Sequence, residues 1–104
     1  MTDFEEDDVG FVARQVSEEA ANDYVGLWEV HSLLMERGNS TSERIVQVVA
    51  SLLQDERIEI GQFTDGVFHA WPGEKEKKLS RLRQELDVLQ RPPDIGDVAW
   101  LVMQ

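Results

Sequence analysis

The sequence predicts an α+β domain, with three or four helices packed on a small antiparallel sheet of two or three strands. Three patterns carry this expectation. Ile45, Val48, Val49, Leu52 and Leu53 recur at helical spacing and form one wide apolar face. Residues 57–63 alternate with a period of two and run into Asp65-Gly66, the turn chemistry of a hairpin. Leu79, Leu82, Leu86 and Leu89 then return to helical steps until Pro92-Pro93 stops them.

Taken in order, residues 1–8 predict an acidic flexible tail, because Asp3, Glu5, Glu6, Asp7 and Asp8 repel one another and only Phe4 offers apolar surface. Residues 9–104 form the single domain. Val12 and Val16 suggest a short helix over 9–21. Leu27, Val30 and Leu34 define a second helix, with Asn22 or Asp23 as its cap and Gly38 as its stop. Gly26 weakens its first turn unless it permits close packing. Ser40 and Glu43 have the spacing of a capping box for the third helix, 40–54. Residues 67–71 return as the second strand of the hairpin, and 98–103 read as a last strand. The expected core draws on Leu27, Val30, Leu34, Ile45, Val48, Val49, Leu52, Ile58, Ile60, Leu82, Leu86 and Trp100.

Composition excludes several classes of function. With no cysteine, the chain can form no disulfide scaffold, thiolate zinc site or Cys nucleophile. The acidic start does not resemble a signal peptide, and no apolar run approaches membrane-span length, so the cytoplasm is the expected location. The net charge of −11 repels phosphate backbones and anionic lipids. Solubility is one meaning of that charge, and a partner with a basic face is the sharper one. The excess is uneven. Residues 1–36 hold ten acids against Arg14 alone, whereas residues 74–91 hold six bases against four acids.

Helix, tight turn, helix and hairpin follow one another over Leu27 to Gly38, Ser40 to Gln54 and Ile58 to Trp71. In that order they resemble a winged helix-turn-helix domain, over less than half of the chain. The combination GLWEV at 26–30, FHAWPG at 68–73 and DIGDVAW at 94–100 resembles small uncharacterised bacterial proteins of similar length, a likeness that implies no activity. The winged-helix likeness implies a DNA-reading helix, but residues 42–55 carry one base, Arg44, against Glu43 and Asp55. The wing carries Arg57 alone against Glu59 and Asp65.

No catalytic set emerges. His31 and His69 stand apart and suit structural or surface roles better than metal ligation. Ser40, Thr41 and Ser42 are accounted for by helix capping, and the glycines make no phosphate loop. The bases between Lys75 and Arg83 suit a solvated helix face with a Glu74–Lys78 pair. Trp28, Trp71 and Trp100 suit a core, with an interface role as the alternative.

The expectation is therefore a non-enzymatic module without cofactor or metal, whose acidic surface engages a basic protein partner, as immunity or antitoxin-type inhibitors do. Its candidate contact residues are Asp3, Glu5, Glu6, Asp7, Asp8, Glu18, Glu19 and Asp23. The alternative is a winged-helix DNA-binding regulator, or such a scaffold that has lost DNA binding. Short duplex DNA or RNA should not bind appreciably at physiological salt. Salt-dependent binding at micromolar concentration, measured by anisotropy, would defeat that expectation.

Overall fold

Apolar residues at helical spacing need a surface on which to bury their face, and among the described residues four helices close over a four-stranded antiparallel sheet. The computed structural model describes residues 8–38, 40–90 and 98–103. The elements are α1 (Asp8–Ala20), β1 (Val25–Gly26), α2 (Leu27–Glu36), α3 (Ser42–Leu52), β2 (Ile58–Thr64), β3 (Val67–Ala70), α4 (Lys75–Leu89) and β4 (Trp100–Met103). The α+β class is as the sequence predicts. The sheet has one strand more than expected, because β1 is two residues long and too short to show any alternation.

The strand order is β1-β4-β2-β3. The hairpin joins β2 to β3 through Asp65 (φ 53°) and Gly66 (φ 79°), the two positive φ values that a tight primed turn requires. The last strand inserts between the hairpin and β1. Leu101 pairs with Val25 on one side and Ile60 on the other, while Trp100 pairs with Gly26 and Gly61. Val25, Ile60 and Leu101 belong to the core, which they share with residues of all four helices. Alternation turns Trp100 and Gly61 to the opposite face.

Helix α3 packs against α1, α2 and α4. Its buried residues, Ile45, Val46, Val48, Val49 and Leu52, include Val46 beyond the row that the spacing identifies. Helix α4 accounts for the addition: it packs along α3, and Arg83 reaches Glu43 at 3.6 Å. Its own Leu79, Leu82 and Leu86 are buried.

Several local expectations are corrected. Thr41, not Ser40, caps α3, and its hydroxyl accepts from the Arg44 amide at 3.1 Å. Ser40 Oγ instead shares a 2.6 Å hydrogen bond with His31 Nδ1, tying α2 to the turn that follows it. Neither Asn22 nor Asp23 caps α2. Its N-cap is Gly26, and the Leu27 amide donates to the carbonyl of Ala99, the residue just before β4, at 3.1 Å, so a backbone carbonyl takes the place of a capping side chain. Asp8 opens α1 rather than lying in a tail, and its carboxylate pairs with Arg37 at 2.6 Å. Trp100 does not join the core, whereas Trp71 does at 3% exposure. Gly26 does permit close packing: a Cβ there would lie 2.7 Å from the Trp28 ring and 3.1 Å from the Trp100 ring.

Val49 has no exposed surface. Val49→Asp should destabilise the domain by more than about 4 kcal/mol, because a carboxylate would enter an apolar site without a partner. An unchanged melting temperature by circular dichroism would count against the packing of α3.

Candidate protein-contact surface

The acidic candidates divide. Asp3, Glu5, Glu6 and Asp7 lie outside the described residues. Asp8 is half-buried and engaged by Arg37, so it contributes to holding α1 against the end of α2. Glu18, Glu19 and Asp23 are exposed. They cluster where α1 ends, because the amides of Asn22 and Asp23 both donate to the Glu19 carbonyl at 3.0 Å and fold the chain back. Asp23 Oδ1 then accepts from the Tyr24 amide at 2.8 Å and sets the direction in which the chain enters β1.

Glu29, in the first turn of α2, belongs with this group. Its carboxyl is pushed up to about 7, first by a hydrogen bond with Glu19, then by desolvation and by the Glu19 charge. The neighbourhood of Glu19 and Glu29 therefore gathers acidic side chains at this end of the molecule.

Beside these acids lies a feature that the spacing of the sequence does not show. Tyr24, Trp100, Phe63 and Phe68 form a continuous aromatic ridge. Tyr24 meets Phe63 at 5.0 Å and Trp100 at 5.2 Å between ring centroids. Phe63 meets Trp100 at 5.7 Å and Phe68 at 5.5 Å. One ring comes from each of β2, β3 and β4, and Tyr24 immediately precedes β1, so the ridge crosses the whole sheet. None of the four belongs to the core that the helices cover. Tyr24 is 53% exposed, and Val67, next to Phe68, is 56% exposed. The rings are tilted or edge-to-face, an arrangement worth about 0.5–1.5 kcal/mol per pair beyond burial, so the ridge is held in shape by its own contacts.

Three of the five bases of α4 are engaged within the chain. Lys78 pairs with Glu59 at 3.1 Å, Arg81 with Glu85 at 3.1 Å, and Arg83 with Glu43 at 3.6 Å. Arg81 also stacks 4.2 Å above the Trp71 ring. His69 is exposed on β3, while His31 is half-buried against Ser40. Among the described residues, no three His, Asp or Glu side chains are grouped to hold a metal ion, and no helix is long and apolar enough to cross a membrane.

Compared with known proteins, the chain matches no family model, no curated sequence and no solved structure.

The Glu19–Glu29 contact has a definite pH signature. Glu29 binds its proton more tightly in the folded state than in the unfolded one, so the stability it confers is full below about pH 4.5. That stability is lost as pH rises through about 7. Glu29→Gln keeps a hydrogen-bonding side chain and removes the repulsion. The variant should gain up to about 1 kcal/mol over the parent near pH 8, discounted for solvent screening, and little near pH 4. Parallel thermal melts across that range check this, and equal melting temperatures at all pH values would count against the contact.

Proposed function

We propose that this chain is a non-enzymatic protein-binding module whose acidic surface engages a basic protein partner. An inhibitor of the immunity or antitoxin type is the most concrete form. The observation that carries the proposal is the exposed group Glu18, Glu19 and Asp23, concentrated with Glu29 at the junction of α1, β1 and α2. No basic partner for these four carboxylates appears among the ion pairs of the described residues. Negative charge gathered on one part of a surface steers a basic partner and disfavours acidic ones.

A second reading is supported by the order of elements. Helix, short strand, two helices and a hairpin, α1 through β3, is consistent with a winged-helix layout. Against DNA binding by that layout stands the surroundings of α3. Its neighbour α4 packs along it and buries Val46, and its exposed residues are Ser42, Glu43, Gln47 and Ser51. A helix so covered, with a carboxylate and no cation among its exposed side chains, is poorly suited to a major groove. A scaffold of this kind devoted to protein binding accommodates both observations.

The test is kinetic. After capture of the partner from the source cell, both rate constants are measured at several salt concentrations. The parent should associate about tenfold or more faster at low salt than at high salt. Combining Glu18→Gln, Glu19→Gln and Asp23→Asn should remove most of that acceleration and change dissociation less. A salt-indifferent association rate, or a partner acidic at its contact face, would leave solubility as the whole meaning of the charge.

A further inference from the structure

We propose that the ridge formed by Tyr24, Trp100, Phe63 and Phe68 is the anchor of the interface, and that it takes an arginine-bearing segment of the partner protein. The proposal rests on the basic-partner reading above and names the place and the chemistry of contact.

Three observations support it. The ridge lies outside the helix-covered core and takes a ring from each of β2, β3 and β4 and one from the residue before β1, so it presents a continuous apolar strip on the sheet. Tyr and Trp are residues on which interfaces concentrate their binding energy, and Phe is enriched with them at interface cores. The strip is flanked by carboxylates. Asp23 adjoins Tyr24 at one end, and exposed Asp65 lies in the turn between Phe63 and Phe68 at the other. Finally, arginine already stacks on aromatic rings elsewhere in this chain. Arg37 lies 4.2 Å above Phe11 and Arg81 4.2 Å above Trp71, while the four ridge rings carry no such cation among the described residues.

These features select the occupant. A guanidinium can lie flat on a ring face and still direct its N–H groups to a neighbouring carboxylate, which an ammonium does less well. A second copy of this chain is disfavoured, because each copy carries a net charge of −11 and would bring Asp23 and Asp65 against like charges.

The experiment titrates the full chain, labelled for backbone amide NMR, with a short peptide of alternating Arg and Gly. A matched Lys and Gly peptide serves as control, at low and physiological salt. The expected result is saturable shifts centred on Tyr24, Phe63, Phe68 and Trp100, with the arginine peptide bound several-fold more tightly. Tyr24→Ala, at a half-exposed position, gives up two ring contacts and should lower the melting temperature while leaving the chain folded, and it should weaken binding about tenfold, near 1.4 kcal/mol. Phe68→Leu keeps the apolar bulk and removes the ring, so it should reduce the preference for arginine over lysine.

Other outcomes would overturn the proposal in distinguishable ways. Shifts confined to Glu18, Glu19 and Glu29, with equal affinity for the two peptides, would sink the ridge and leave the acidic-surface reading standing. Binding of neither peptide even at low salt would remove both. Concentration-dependent self-association abolished by Tyr24→Ala would make the ridge a contact between copies of this chain.

Discussion

The sheet depends on four residues, Trp100–Met103, that occupy the slot between β1 and β2. Neither neighbour pairs with the other; each pairs with β4. Backbone amides and carbonyls buried without partners are costly, so β1 at two residues could not persist as a strand without this insertion. The insertion also supplies the start of α2, since the Ala99 carbonyl receives the Leu27 amide. Its entry is tightly constrained. Val98 adopts φ 65°, which is uncommon for a β-branched residue, and its carbonyl accepts from Gln62 Nε2 at 3.1 Å.

The same insertion creates the candidate contact surface. With Leu101 facing Ile60 and Val25 in the core, alternation sends Trp100 to the other face. There it meets Tyr24 and Phe63, residues 76 and 37 positions away in sequence. Gly26, where a Cβ would press on Trp28 and Trp100, makes room beside it, while Gly61, where a Cβ would run into the His69 carbonyl, lets β3 approach β2 closely. One strand therefore serves both faces of the sheet, closing the core with Leu101 and joining the ridge with Trp100.

Charge and packing act on different parts of the molecule. The bases of α4 are used to hold helices and strands together, through Lys78–Glu59 and Arg83–Glu43. The exposed Arg83–Glu43 pair contributes little to stability, about 0–1 kcal/mol, whereas Lys78–Glu59 is partly buried; both occupy cations at sites away from the end of α1. The carboxylates at the end of α1 have no basic partner among the described residues, and the Glu29 carboxyl is pushed up to about 7, first by a hydrogen bond with Glu19, then by burial and by the Glu19 charge. An aromatic strip beside such a group combines apolar anchoring with long-range attraction, the two elements of a steered interface.

The sequence by itself determined the α+β class, three of the four helices closely, and the hairpin with its Asp65-Gly66 turn, because each depends on spacing or turn chemistry within a few residues. It also identified nearly all of the core positions it named, from Leu27 to Leu86, since periodicity reports which face is apolar. Tertiary structure alone decided what those faces meet. It made β1 a strand, moved the α3 cap from Ser40 to Thr41 by engaging Ser40 with His31, and set Asp8 against Arg37. It also placed Trp71 inside and Trp100 outside the core, although both are tryptophans in apolar segments. The reason is that register is a relation between strands: a slip of one residue in β4 would exchange Trp100 and Leu101. The partners that fix this register, Val25 and Ile60, lie far from β4 in the chain.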